Sequence, residues 1–242
     1  MTTMTTMTLD TLTARLSQAH GDQLIAVVLY GSAARGEHDA KRSDYNVLVL
    51  VRSLTPAALR AAAGTAHEWQ AAGNPPPLIL TEAEWRSSRD VFAIEVADIM
   101  ERHRVLTGAL PDGPRHVDPA HLRHQLEFEA MGKLLRLRRG ILACNGDAKE
   151  ELALLVAARS AVLVLFRTLL RAHGEPAPAT SDAVVRRAAE LGGFDAAPLL
   201  EVLAHASGAA PIPETRADDV LAAFHAGLER FVAHVDQLVH PA

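Results

Sequence analysis

A glycine-containing turn near the N-terminus carries the first residues whose types point to chemistry. Gly31 and Ser32 directly follow an apolar run from Leu24 to Tyr30, which is short, β-branched and typical of a buried strand. Gly31 lets the chain turn sharply, and a backbone without a side chain lets N–H groups approach a bulky anion closely. Ser32 adds a hydroxyl at the same place. The turn therefore predicts a cradle for a phosphate group.

Two further polar residues stand where a metal ion would be needed. Asp44 and Asn46 are two positions apart, directly before a second apolar run from Val47 to Val51. Side chains alternate along a strand, so we expect both on one face, toward the glycine turn. An acid beside a phosphate is unfavourable unless a divalent cation lies between them, and Mg²⁺ is commonly bound by carboxylates together with substrate phosphates. The spacing therefore predicts a Mg²⁺ site.

The two motifs together resemble the polymerase-β-like nucleotidyltransferase superfamily, in the small bacterial form that includes the aminoglycoside adenylyltransferases. The pattern of that superfamily is Gly-Ser, two residues, Arg-Gly, then Ser-Asp-x-Asp and an apolar strand. The residues that match it are Gly31, Ser32, Arg35, Gly36, Ser43 and Asp44. A two-part signature of this kind is far more specific than a lone glycine motif.

The resemblance implies that ATP or another nucleoside triphosphate binds with Mg²⁺ and that a nucleotidyl group passes to a hydroxyl of a small molecule such as an aminoglycoside. The residues implied in nucleotide binding are Gly31, Ser32, Arg35 and Ser43. Arg35 would fix the loop or a phosphate. Asp44, with Asn46 beside it, would face the metal, and Asp44 is also a candidate catalytic residue.

Position 46 departs from the pattern, because the second metal-binding Asp is Asn46 here. An amide keeps an oxygen ligand but loses the negative charge on which a divalent metal site usually depends. A rival hypothesis is therefore a non-catalytic descendant that binds a nucleotide or a protein partner in the same cleft. A third is one half of a toxin–antitoxin pair, since similar modules occur in such pairs.

The resemblance also implies a third carboxylate at the predicted strand Leu78 to Leu80, but no acid is present there. Glu95 and Asp98 follow in a segment whose periodicity fits helix and strand equally. Either acid would be able to reach the metal from a neighbouring element; the alternative is a solvated acidic face paired with nearby arginines. Both are candidate catalytic residues, and with Glu127 and Glu129 they are the candidates for a general base.

Composition limits the other classes of function. The chain has 242 residues, 49% of them hydrophobic, and a formal net charge of -5, so no overall basic field favours a long nucleic acid. The one cysteine, Cys144, excludes an internal disulfide. We find no signal-peptide pattern and no apolar run of membrane-spanning length, and therefore expect a cytoplasmic protein without a membrane partner.

The chain is expected to fold as an α/β (α+β) protein with two domains. Residues 1–112 would form a nucleotidyltransferase-like mixed sheet with helices, and residues 113–242 an all-α helical bundle, with a turn-rich linker around Pro111 to Pro114. Five segments have helical periodicity: His121 to Leu142, Lys149 to His173, Asp182 to Leu191, Asp195 to His205 and Ala217 to Val239. Surface helices of such a bundle are compatible with a homodimer.

Overall fold

The computed structural model describes residues 7–31, 33–34, 45–111 and 117–239, and the chain divides into two compact units, Met1–Asp118 and Pro119–Ala242. We call them the sheet unit and the bundle unit. The boundary predicted between residues 112 and 113 stays a prediction, because residues 112–116 lie outside the described part of the chain.

The sheet unit contains a mixed four-stranded sheet. Its strands are β1 (Leu24–Tyr30), β2 (Asn46–Val51), β3 (Leu78–Thr81) and β4 (His103–Gly108), in the order β3-β2-β1-β4. The β2 and β3 strands are parallel, whereas β1 is antiparallel to both β2 and β4. The prediction of a mixed sheet is therefore confirmed.

Helices cover both faces of this sheet, which explains why β1 and β2 are continuous apolar runs. The helices are α1 (Leu9–His20), α2 (Pro56–Ala71), α3 (Glu82–Ser87) and α4 (Ala93–Glu101). Leu12 of α1 and Trp69 of α2 pack with the odd-numbered strand residues, such as Val49. Trp85 of α3 and Ile99 of α4 pack with the even-numbered ones. We call these the α1/α2 face and the α3/α4 face.

The segment whose periodicity fitted helix and strand equally is the helix α4. Its buried residues Ala93, Ile94, Val96 and Ile99 recur with helical spacing and cover the α3/α4 face. Helix α3, directly after β3, begins with a capping box, in which the Thr81 hydroxyl accepts from the Glu84 N–H and the Glu84 carboxylate accepts from the Thr81 N–H.

The bundle unit contains the five helices that the sequence predicts. They are α5 (Pro119–Cys144), α6 (Ala148–Ala172), α7 (Ser181–Gly192), α8 (Ala197–Ser207) and α9 (Ala217–Val239). Helix α6 contacts the other four and lies at the centre of one continuous hydrophobic core.

Judged by length and composition alone, α6 is long and apolar enough to cross a membrane. Core helices of soluble proteins meet the same two criteria. The expectation that no apolar run has membrane-spanning length therefore does not hold for α6. Half of its most apolar stretch is buried inside the bundle, so packing accounts for its apolar character.

Candidate functional site

Gly31 and Asn46 lie in contact at one end of the sheet. Gly31 directly follows β1 and has a φ of +78°, a conformation that side chains with a Cβ rarely adopt. A Cβ added there would lie 2.9 Å from Asn46 Nδ2, closer than real Cβ atoms come to another heavy atom. Both the backbone and the neighbouring amide therefore require glycine at position 31.

Four of the predicted site residues, Ser32, Arg35, Ser43 and Asp44, lie outside the described residues. Their places in the site, including Asp44 facing the glycine turn, stay predictions.

The start of β2 turns the Asn46 side chain toward the α3/α4 face. The preceding residue, Tyr45, packs on the opposite face, where its ring centroid is 5.9 Å from that of Trp69. The Tyr45 N–H donates to Asn74 Oδ1 at 3.1 Å, which holds the chain as it enters the strand. Since strand side chains alternate, Asn46 shares its face with Leu48 and Leu50.

Three polar side chains form a row across the sheet at this end. Tyr30, the last residue of β1, is the register partner of Asn46 on β2 and of His103 on β4. Register partners on adjacent strands project to the same face, and Tyr30 packs against the core on the α3/α4 face. The row Asn46, Tyr30, His103 therefore lies beside the Gly31 turn, on the side that α4 covers.

The carboxylates of α4 approach this row. Burial raises the pKa of Tyr30 to about 12, and the negative charges of Glu95 and then Asp98 contribute to the shift. A nearby like charge disfavours the charged phenolate in this way. Glu95 and Asp98 are three residues apart on α4, hence on one helix face, and both are partly buried. The structure thus brings both acids to the end of the sheet where Gly31 and Asn46 lie.

His103 connects β4 to the end of α4. Its Nδ1 lies 2.8 Å from the carbonyl oxygen of Ile99. A carbonyl only accepts, so Nδ1 carries the hydrogen, and the neutral ring then has its lone pair on Nε2. The bond satisfies one of the carbonyl groups that a helix C-terminus leaves unpaired. This contact fixes α4, and with it Glu95 and Asp98, over the polar row.

Sequence reasoning missed Tyr30 and His103 as members of the site. Tyr30 closes an apolar run and His103 opens a short edge strand, so each looks like ordinary strand sequence. Only their position in the chain points to the site. A polar residue at the end of a predicted strand, next to a phosphate-binding turn, is a candidate site residue.

Asn46, Glu95 and Asp98 each offer side-chain oxygen, the atom type that Mg²⁺ prefers, and the two acids lie near enough to Tyr30 to influence the pKa of its phenol. In the described part of the chain, no group of three or more His, Cys, Asp and Glu side chains is arranged to hold a metal ion. A Mg²⁺ ion here would therefore need ligands beyond the α4 acids, such as Asn46, a substrate phosphate or Asp44.

The other two candidate bases lie in the bundle unit, on α5. Glu129 forms an ion pair with Lys133, whose Nζ is 2.6 Å from Glu129 Oε2, one helical turn away. Glu127 lines a groove between α5 and α9. Glu129 thus stabilises its own helix through a pair one turn apart.

A comparison with solved structures finds the spectinomycin adenyltransferase AAD(9) from Enterococcus faecialis, solved with ATP and spectinomycin. The similarity covers 92% of this chain and 97% of that chain, with a TM-score of 0.59 and 11% sequence identity. No family model and no curated protein matches the sequence. The structural likeness shows the fold: this chain has a nucleotidyltransferase-like mixed sheet with helices, followed by an all-α helical region.

Proposed function

We propose that this protein is a Mg²⁺-dependent nucleotidyltransferase of the polymerase-β-like superfamily. It transfers a nucleotidyl group from ATP or another nucleoside triphosphate to a hydroxyl of a small molecule such as an aminoglycoside. The observation that carries the proposal is the approach of Glu95 and Asp98 to Tyr30, the register partner of Asn46, beside the Gly31 turn. The solved neighbour, an adenyltransferase with ATP and spectinomycin, supports the same class of substrates.

The two acids on α4 would compensate for the negative charge that is lost because position 46 is Asn. A metal site with Asn46 in place of Asp has one negative charge fewer, and Glu95 or Asp98 would restore it from the neighbouring helix. Asp44, Asn46 and one α4 carboxylate would hold Mg²⁺. When bound, Mg²⁺ would neutralise charge on the triphosphate and so assist in-line displacement at the α-phosphorus.

The remaining groups of the chain bind, orient and accept a proton. Backbone N–H groups at Gly31 and Ser32 hold the triphosphate, and Arg35 fixes the loop or a phosphate. The acceptor oxygen forms a bond to the α-phosphorus while the bond to the bridging oxygen breaks and pyrophosphate leaves. The α4 carboxylate that does not bind the metal accepts the hydroxyl proton.

The test is Mg²⁺-dependent ATP affinity and pyrophosphate release, measured for the natural protein and its variants across a panel of aminoglycosides and other hydroxyl-bearing acceptors. Asp44→Ala, Glu95→Gln and Asp98→Asn should each reduce turnover by about a hundredfold or more. Asp90→Asn removes an exposed acid just before α4 and serves as the matched control, with turnover unchanged. Full turnover by all three site variants would contradict the proposal.

Nucleotide binding itself is tested at the turn. Gly31→Val should abolish ATP binding in calorimetry while the protein stays soluble, because the backbone donors there are displaced. Gly21→Val imposes a positive-φ strain of the same kind, since Gly21 has a φ of +50° with open space around it, and should leave ATP affinity unchanged. Equal affinity of both variants would show that the triphosphate binds elsewhere.

The second candidate is a non-catalytic descendant that binds a nucleotide or a partner, and Asn46 is the observation that favours it. In that case the natural protein binds Mg²⁺ weakly, and Asn46→Asp strengthens Mg²⁺ binding without any turnover. Pyrophosphate release by the natural protein that is lost in Asp44→Ala would eliminate this candidate.

A further inference from the structure

Helix α5 carries two apolar seams on different faces. The inner seam packs into the bundle core and contains Leu122, Leu126, Ala130, Leu134 and Leu137. The outer seam consists of His121, His124, Phe128, Met131, Leu135, Arg138 and Leu142, whose positions are separated alternately by three and four residues. That spacing is the heptad pattern with which one helix packs against another.

The outer seam is exposed. The exposed fractions are 77% for Phe128, 45% for Met131, 43% for Leu135 and 81% for Leu142. Single exposed apolar residues are normal on a protein surface. Four of the ten large exposed apolar residues in the described part of the chain, however, lie on this one helix. Their concentration along one line indicates a surface that another helix covers.

Gly132 lies beside this seam, and packing against the described residues does not require glycine there. A Cβ added there would have no heavy atom within 4 Å, although glycine inside a helix costs about 1 kcal/mol relative to alanine. Gly140 on the same helix is explained, because a Cβ there would overlap Leu154 Cδ1 of α6. Gly132 thus suits the close approach of a backbone from outside the molecule.

We propose that the outer seam of α5 pairs with the same seam of a second copy of this chain, antiparallel and around a two-fold axis. The register that keeps the heptad layers sets Met131 against the partner's Leu135 and Phe128 against the partner's Arg138. His124 then faces the partner's Leu142, and Gly132 lies at the crossing. Arg138 over the partner's aromatic ring adds a cation–π contact.

Charge decides the orientation. The N-terminal half of α5 contains Arg123, Glu127 and Glu129 and has a net charge of -1. The C-terminal half contains Lys133, Arg136, Arg138 and Arg139 and has a net charge of +4. An antiparallel pair places the N-terminal half of each helix against the basic half of the other. Glu127 and Arg138 lie on the same flank of the seam and almost equally far from its midpoint, so Glu127 lies beside the partner's Arg138. A parallel pair would place acid on acid and base on base, which destabilises association.

The surface beside the seam extends this complementarity. A groove of about 630 Å³ runs along the surface where α5 and α9 meet. Its α9 wall includes Glu229 and Asp236. The Arg138 guanidinium is held at the groove by Glu229, with Nη2 2.7 Å from Glu229 Oε1. The groove therefore has room and negative charge for the basic half of the partner's helix.

The test is sedimentation equilibrium of the full chain over a range of concentrations. The natural protein should be a dimer, and Leu135→Asp should raise the dissociation constant about thirtyfold or more, since it buries a charge in the centre of the interface. Leu59→Asp on α2 is the matched control, because Leu59 is 44% exposed, and it should leave the dimer intact. A natural protein that is monomeric at every concentration, or equal dissociation constants for both variants, would overturn the proposal.

Orientation is tested by charge reversal. Arg138→Glu should weaken the dimer, and adding Glu127→Arg to it should restore the affinity, because an antiparallel pair brings these two positions, which lie on the same flank of the seam, next to each other. Gly132→Ala should weaken the dimer, whereas Gly64→Ala in α2, also with open space around it, should not. Weakening without rescue in the double variant would overturn the antiparallel arrangement. The proposal does not depend on the transferase activity, since none of these assays uses nucleotide.

Discussion

The two units bury their apolar residues in different ways. In the sheet unit the strands separate two clusters, one on each face, and backbone ladders fix the strand positions. In the bundle unit one continuous core connects side chains of all five helices. A sheet thus places backbone directly against backbone, whereas helices meet through side chains that are able to move. The difference predicts which unit tolerates an added atom.

The largest effect is expected for Gly108→Ala in the sheet unit. Gly108 ends β4 with a φ of +74°, and an added Cβ would overlap the backbone carbonyl of Ile25 on β1. Backbone held by neighbouring strands cannot yield cheaply, so we expect a loss of about 3 kcal/mol or more in the free energy of unfolding of this unit. Gly21→Ala, at a positive φ but with open space, should cost about 1 to 3 kcal/mol from backbone strain alone.

The measurement uses the position of the tryptophans. Both of them, Trp69 and Trp85, are buried in the sheet unit, so their fluorescence reports its unfolding alone. Helical circular dichroism reports mainly the bundle. Denaturant unfolding of Gly108→Ala should shift the fluorescence transition and leave most of the dichroism transition in place. Coincident shifts of both signals would show that the two units unfold together.

A smaller effect is expected for Gly140→Ala in the bundle unit. The added Cβ would overlap the end of the Leu154 side chain on α6, and a flexible side chain is able to move aside. We expect a cost of about 1 to 3 kcal/mol, visible in the dichroism transition and not in the fluorescence transition. Adding Leu154→Ala should recover part of the loss, since it removes the overlapping atoms. A cost as large as that of Gly108→Ala would contradict the expectation that the bundle unit tolerates an added atom better than the sheet unit.

Much of the fold follows from local sequence. The predicted helix from Ala217 to Val239 has those ends in the structure. Helix α2 begins after Thr55, a residue type typical of helix caps, whose hydroxyl accepts from the Ala58 N–H. Helical periodicity and helix capping depend on residues only a few positions apart, so both can be recognised from the sequence alone. Periodicity does not identify α4 as a helix, because nine residues are too few to establish a period, and packing on the sheet decides its form.

The candidate site is less predictable than the fold. The sequence places Gly31 at the end of a strand and Asn46 at the start of the next, because both depend on local turns. It cannot place Tyr30 and His103 in one row, since strand register is set by pairings between distant parts of the chain. It also cannot say whether Glu95 reaches that row, because this depends on how α4 docks.

Acid should destabilise both units, through the buried His20 in the sheet unit and the partly buried His234 in the bundle unit. Burial lowers the pKa of His20 in the sheet unit, where neither ring nitrogen has a hydrogen-bond partner among the described residues. In the bundle unit burial and then the nearby His173 lower the pKa of His234, and the two Nε2 atoms are 3.4 Å apart. A depressed pKa means that the unfolded chain binds more protons, so stability falls as pH drops below the ordinary value of about 6.5.

The two spectroscopic signals report the pH dependence of stability separately, fluorescence for the sheet unit and dichroism mainly for the bundle unit. His20→Leu should flatten the acid loss of the fluorescence transition, and His234→Gln that of the dichroism transition. His173→Gln should reduce the second loss only in part, because burial is the larger cause for His234. An acid loss in the fluorescence transition that persists in His20→Leu would assign it to another group.

The smallest expected effect tests the electrostatic link between α4 and the polar row. The pKa of Tyr30, raised to about 12, should give a late tyrosinate absorbance step in a Tyr45→Phe background, where Tyr30 is the remaining tyrosine. Because the folded state keeps the proton longer, the stability of the sheet unit should fall as pH rises from about 10, the ordinary tyrosine value, toward 12. Tryptophan fluorescence, followed in parallel, identifies the pH range in which the unit is still folded.

Removing the carboxylate charges should then lower the pKa of Tyr30. Glu95→Gln should lower it more than Asp98→Asn does, because Glu95 is the larger of the two charge contributions after burial, and Asp90→Asn should leave it unchanged. Raising the salt concentration should weaken the effect only slightly, since partly buried charges are poorly screened. If neither α4 variant moves the titration, the carboxylates do not lie near the phenol. The acids would then be too far from Asn46 to replace its missing charge, and the case for a metal-dependent transferase would rest on residues 31–44 alone.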